Sequence, residues 1–309
     1  MFGRIGDTEK ARENLERSVE LARGSDDGET ILALLALGHH LEISEADYSG
    51  AEAAYREGLD LAVEVGDVPT QVELHAGLAQ LAVYRADWEG VRRSSDASAQ
   101  LSEREGLVGK LCLPSALRAL LHWRDGEWDE AERLYRRAHE LAVQVGWSEV
   151  AFTALFGLSA VLRDRDDAAG AVTALAQALD VCERAGLIGQ SIQAMSSRAI
   201  ALAMGGKAEA AREAAEEAVE LAARLHYPVG EAAAAEADGA TVGDVERLRA
   251  ARTRWLALGR PLDAARCELE AGRALQGAAA EEALERAATE YESLGVPHRA
   301  QAARAAVAR

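Results

Sequence analysis

Apolar residues recur along this chain three and four positions apart, in blocks separated by short polar turns, and the blocks themselves repeat. Small residues at Ala11, Ala51, Ala131, Ala171 and Ala211, with Val91 completing the series, stand 40 residues apart. The positions three before them are Thr8, Tyr48, Trp88, Trp128, Ala168 and Ala208, and the positions ten after them are Leu21, Leu61, Leu101, Leu141, Val181 and Leu221. Glycines then follow at Gly66, Gly106, Gly146 and Gly186. Each copy predicts one helix, a polar turn such as Arg124-Asp125-Gly126-Glu127-Trp128, and a second helix closed by glycine in a left-handed conformation. A helix hairpin of this kind cannot bury its apolar face alone, so the copies must stack.

After residue 226 the register loosens. Residues 230–243 are rich in alanine and glycine and read as a weak helix followed by a long turn. A shorter period then appears, with Trp255, Leu258, Gly259 and Pro261 recurring as Tyr291, Leu294, Gly295 and Pro297. The pattern therefore predicts one solenoid over 1–309. It divides into a half repeat at 1–26, five regular hairpins at 27–226, shorter irregular hairpins at 227–296 and a capping helix at 297–309. Only Met1 to Ile5 stands where the first helix of the half repeat should be. Leu15 and Val19 are thus expected to lack part of their packing, which points to a self-association edge or a missing partner segment there.

The segment Gly126-Glu127-Trp128-Asp129-Glu130-Ala131, followed by Tyr135 and Ala138, resembles the tetratricopeptide repeat. Ala79, Ala119, Ser159 and Ala199 stand where that family's first helix needs close packing. The resemblance runs as a pattern through the whole chain, with a period longer than the family's usual one of about 34 residues. Repeats this long look like the sensor arrays of maltose-regulator-type (MalT-like) proteins and related bacterial signalling ATPases that control transcription. The resemblance implies an all-α, right-handed superhelix of about sixteen helices. It also implies a non-catalytic scaffold or sensor that binds a protein or peptide, in bacterial signalling or transcriptional regulation. A small-molecule sensor detached from such a regulator is the alternative.

In that family the first helices of the hairpins line the concave face. Carried onto this register, the candidate partner-binding residues are Gln80, Tyr84, Trp123, Arg124, Phe156, Arg163 and Gln193, with His40, Glu73, Leu117, Leu120, Thr153, Asp164 and Met204 beside them. Aromatic rings flanked by Arg and Gln suit an extended or helical peptide, or an apolar ligand with a few polar handles. Two ligand modes are disfavoured. The positions at which chaperone-tail binders place Lys, Asn and Arg hold Ala, Leu, Gln and Thr here, and the asparagines used by quorum-peptide receptors are missing, since Asn14 is the single asparagine.

Charge and composition narrow the partners. With 52 acidic against 34 basic residues the 309-residue chain carries a formal charge of -18, which argues against direct nucleic-acid binding. Residues 1–66 hold 15 acids and 6 bases, so this end favours basic partners. The charged Met1–Arg12 segment is no signal peptide, and the longest uncharged apolar run, 150–162, is too short to span a bilayer of about 30 Å. Cys112, Cys182 and Cys267 have no metal or redox spacing and read as buried hydrophobes, consistent with a cytoplasmic protein and no membrane. Gly106-Leu107-Val108-Gly109-Lys110-Leu111 lacks the spacing and the Ser or Thr of a phosphate loop. The histidines make no i, i+4 ligand pair, and there is no G-x-S-x-G or H-E-x-x-H. Neither an enzyme nor a cofactor is expected.

Overall fold

Several helix starts in this chain are set by aspartate. Asp47, Asp87 and Asp167 each turn a carboxylate back onto the backbone N–H three residues on, at 2.8–2.9 Å, in Gly50, Gly90 and Gly170. That satisfies one of the amide donors that a helix N-terminus leaves open. Helix ends fall on left-handed residues, and where glycine is missing Ala86 and Asp166 adopt that conformation instead, with φ of 57° and 60°.

The computed structural model describes residues 8–24 and 26–307. Sixteen α-helices lie among the described residues. The first eight are α1 Thr8–Ala22, α2 Asp27–His40, α3 Tyr48–Val65, α4 Val68–Tyr84, α5 Trp88–Arg104, α6 Cys112–Arg124, α7 Trp128–Val145 and α8 Ser148–Asp164. The remainder are α9 Ala168–Ala185, α10 Ile188–Met204, α11 Ala208–Leu225, α12 Pro228–Val242, α13 Val245–Ala257, α14 Pro261–Ala274, α15 Gly277–Ser293 and α16 Pro297–Val307. The odd-numbered helices from α1 to α11 begin at Thr8, Tyr48, Trp88, Trp128, Ala168 and Ala208, the 40-residue series read from the sequence. Each helix packs on the next, and the whole is a right-handed α-α superhelix.

Tyrosine against glycine sets the spacing within the stack. The Tyr55 ring of α3 is wedged between Gly38 of α2 and Gly77 of α4, and Tyr135 of α7 lies on Gly157 of α8. A Cβ on Gly157 would come within 2.3 Å of Tyr135 Cζ, so only hydrogen fits there. Alanines such as Ala51, Ala119, Ala131 and Ala199 are fully buried and let the helices approach. The three cysteines are buried and unpaired.

Two local expectations change. Residues 230–243 form no long turn: α12 is a continuous helix opened by Pro228 at its first turn and closed at Gly243. Gly239 makes this possible, because a side chain there would press within 3.0 Å of Leu248 on α13. Val19 does not lose its partner, being buried against Leu34 and Ala54, although Leu15 stays half-buried. Residues 1–7, on which the half-repeat reading also rested, lie outside the described residues. Two turns also depart from regular α-helix. Leu41–Glu45 is a π-helical turn at the end of α2, closed by Ala46 at φ 56°. Val108–Leu111 is a 3-10 turn before α6, where Pro114 has no N–H to return to the Lys110 carbonyl.

Beyond α12 the helices keep packing each on the next, and the course of the superhelix brings α14 to α16 back to the earlier repeats. One hydrophobic core unites α6 to α9 with α14 to α16, through Trp123, Leu155 and Leu158 on one side and Leu269, Leu284, Tyr291 and Ala300 on the other. Trp88 Nε1 donates to the Leu294 carbonyl at 2.6 Å, joining α5 to the end of α15 across 206 residues.

Candidate functional site

The C-terminal ends of α4, α6 and α8 hold most of the predicted concave residues, and there the returning helices dock. Asp164, the last residue of α8, accepts from Trp123 Nε1 at 2.6 Å and from Arg299 Nη2 and Nε at 3.0 and 3.2 Å. His298 lies across the same carboxylate at 3.4 Å and uses its other nitrogen on the Arg124 carbonyl at 3.1 Å. Burial alone would raise the Asp164 carboxyl, but the Arg299 charge and the bonds from His298, Arg299 and Trp123 outweigh it and hold Asp164 well below the usual range. The Trp123 indole is clamped between the edge of His298 at 5.1 Å and the Arg299 guanidinium at 4.8 Å.

A second polar centre lies where α14 meets the N-terminal repeats. The π turn carries Glu42 inward, where it accepts from the Tyr55 hydroxyl at 2.7 Å and the Tyr84 hydroxyl at 3.2 Å. Burial pushes the Glu42 carboxyl up to about 7 against the opposing pull of those two hydroxyls and of Arg260. Tyr84 stacks on Tyr48 at 4.8 Å, and Arg260 lies over the Tyr84 ring at 4.6 Å and over Trp255 at 4.9 Å. Arg260 is held by Asp263 at 2.7 Å. Deeper still, Glu236 of α12 is 1% exposed and takes Trp255 Nε1 at 2.8 Å and Arg266 Nη2 at 2.7 Å.

The seven predicted residues thus divide. Trp123 and Arg163 are buried, at 4% and 9% exposure, beneath the C-terminal helices. Tyr84 is half-buried within the Glu42 centre, and Arg124 is ion-paired with Asp125 and lies 5.6 Å over the Trp88 ring. Phe156 is half-buried and stacks on Phe152 at 5.5 Å; Gln193 donates to the Tyr227 hydroxyl at 3.1 Å; Gln80 is half-buried. The wide groove expected across all seven is therefore closed at one end by the chain's own helices, and Gln80, Phe156 and Gln193 remain on the less covered part. Sequence reading missed Glu42, Glu236, Arg260, Arg266, His298 and Arg299. One signal was available, since Glu236 is a lone acid inside an alanine run that a helix would bury.

The rejected phosphate-loop segment does line something. Leu107, Val108 and Lys110 form one wall of a cleft of about 720 Å³ whose other walls are Val145, Trp147 and Glu73, a residue expected on the concave face. Lys110 is paired with Glu73 and sits 4.9 Å over the Trp147 ring. No cluster of potential metal ligands occurs among the described residues, and no helix among them is long and apolar enough to cross a membrane.

Residues 112–184, covering α6 to α9, match the family model of the tetratricopeptide repeat. This segment carries the tetratricopeptide repeat. Among solved structures this superhelix is similar to a Rap protein complexed with competence and sporulation factor, with 14% identity and a TM-score of 0.68, over 94% of this chain and 76% of that one. It is also similar to aspartyl phosphate phosphatase F from Bacillus subtilis, with 11% identity and a TM-score of 0.62, over 89% and 72% of the two chains. BtubC from P. vanneervenii matches with 19% identity and a TM-score of 0.51, over 71% and 92%. At these identities the likeness is one of fold. No curated protein matches the sequence.

Proposed function

We propose that this tetratricopeptide repeat scaffold is a non-catalytic sensor that takes a short peptide segment along the part of its concave face that the C-terminal helices leave uncovered. The observation that carries this reading is the cleft at Glu73, Lys110 and Trp147, where Lys110 pairs with Glu73 and lies over the Trp147 ring; the half-buried Gln80, Thr153, Phe156 and Gln193 belong to the same even-numbered set of helices. The cleft is an open groove, and an aromatic floor beside an ion pair can hold one side chain there while fixing its polarity. A role in signalling, including control of transcription, is supported by the fold shared with the Rap protein that holds competence and sporulation factor. The acidic residues 1–66 would speed the approach of basic peptides.

The test is selection of displayed short peptides on the purified protein, followed by titration of the enriched sequence. Phe156→Ala and Trp147→Ala are each expected to weaken binding by about tenfold, ~1.4 kcal/mol. The exposed convex residue Val63, changed to Ala, should leave it unaltered. Equal affinity in all three variants would refute the groove. A panel of small apolar acids binding where no peptide does would favour the small-molecule reading instead.

A further inference from the structure

Three arginines converge where α8, α14 and α16 meet, and two of them are matched. Arg299 grips both oxygens of Asp164 through Nε and Nη2, at 3.2 and 3.0 Å. Arg266 grips both oxygens of Glu236 through Nε and Nη2 and reaches Asp263 with Nη1 at 2.9 Å. Arg163, the third, is 9% exposed, and its Nε is buried with no partner. No hydrogen bond or ion pair engages its guanidinium among the described residues. Arg198 and Arg252 also carry an unpartnered Nε, but Arg252 is paired with Glu290 and both side chains keep more exposure.

The electrostatic surroundings make this arrangement costly. Burial pulls the Arg163 guanidinium down to about 10, the neighbouring Arg266 and Arg299 add to that, and Asp164 and Glu236 oppose it. Those two carboxylates already face the other arginines, and Asp263 is shared between Arg266 and Arg260, so four arginines face three carboxylates and Arg163 is the guanidinium left without a carboxylate of its own. A buried ion without a counterion is strongly destabilising, and an apolar side chain of similar volume in its place is often neutral or better. A planar guanidinium fork with free donors fits a carboxylate in bidentate fashion. One monoanion balances the charge, whereas a phosphate dianion would overshoot beside Asp164 and Glu236.

We propose that Arg163 is the anchor of an internal carboxylate-binding subsite, completed by the field of Arg266 and Arg299. The assignment is independent of whether a peptide occupies the groove, and the elements that build it are the end of α8 and the two returning helices α14 and α16. The carboxylate can belong to a small acid or to the C-terminus of a peptide.

Thermal unfolding of the full chain separates these sources. Sodium acetate, sodium succinate, sodium phosphate, an alanine-rich peptide with a free C-terminus and the same peptide amidated are each compared with sodium chloride at equal ionic strength. The expected result is a rise in midpoint of about 2 °C or more with a carboxylate probe, absent with chloride and with the amide. A response to acetate or succinate assigns a small acid, and a response to the free-acid peptide alone assigns a terminal carboxylate. Arg163→Met is expected to abolish the response while leaving the ligand-free midpoint equal or higher. Should that variant fail to fold, Arg163→Lys is expected to retain a response weakened about tenfold, because a point charge replaces the fork. A stronger response to phosphate than to every carboxylate, or an undiminished carboxylate response in the Met or Lys variant, overturns the proposal. So does the lack of any carboxylate response in the wild type.

Discussion

The regular repeats from α3 to α11 and the returning helices from α12 to α16 are held by different physics. In the repeats, small residues and Tyr–Gly contacts bring neighbouring helices together, and the charged residues stay outside: Arg136 with Glu132 and Arg133 with Glu130 are exposed i, i+4 and i, i+3 pairs. At the junction with the returning helices, Asp164, Glu236, Asp263 and Glu42 are drawn inward, each meeting an arginine, a tyrosine or a tryptophan. The first region is a stack of nearest neighbours, while the second is a closure that depends on a few long-range polar contacts. A protein built this way has two kinds of weakness, and they can be probed separately.

Removing Asp164 should have the largest effect. Asp164→Ala leaves Arg299 and the Trp123 indole N–H buried without partners, and the expected loss is about 3–5 kcal/mol in urea unfolding. Hydrogen exchange should accelerate in α14 to α16 while α3 and α4 keep their protection; uniform acceleration throughout would mean that the two regions form one cooperative unit.

The Glu42 centre comes next and can be read from pH. Its carboxyl is raised from 4.5 to about 7 in the folded chain, so the native state binds more protons than the unfolded state between those values. Stability contributed by the neutral form is present below about 4.5 and declines as pH rises through about 7, by up to ~3 kcal/mol. Glu42→Gln should flatten that part of the stability profile, and an unchanged slope would rule out Glu42 as its source.

A smaller loss is expected inside the stack. Gly157→Ala forces a methyl group against Tyr135 and should cost about 1–3 kcal/mol. Unlike the Asp164 change, it should loosen α7 and α8 first. The smallest effect belongs to the surface: Arg136→Ala should alter stability by less than about 0.5 kcal/mol, since an exposed pair is screened and costs side-chain entropy to order.

The same division explains what could be read from the sequence. Ala131, Trp128 and Gly146 announce the repeat because a nearest-neighbour stack asks for the same residue type at the same place in every copy. The first residue of each odd helix up to α11 was legible for that reason. Tyr84, Trp123 and Arg163 could be assigned to the concave ends of their helices, but not their burial there. Their covering partners Arg260, Arg299 and Arg266 come from the part of the chain where the register is lost. Each such partner occurs once, so no periodicity marks it. Glu42 was hidden differently, because five residues of π-helical turn rotate it away from the face that a regular helix would give it.

The bond from Trp88 to the Leu294 carbonyl also bears on how this chain can change over generations. An open solenoid can gain or lose a repeat with little consequence beyond its length. Here a duplicated or deleted unit between α6 and α13 would rotate and shift everything after it, and Leu294 would no longer meet Trp88. The copy number between those two residues is therefore fixed by geometry, and new variants of the fold must arise by substitution or by additions outside the clasp.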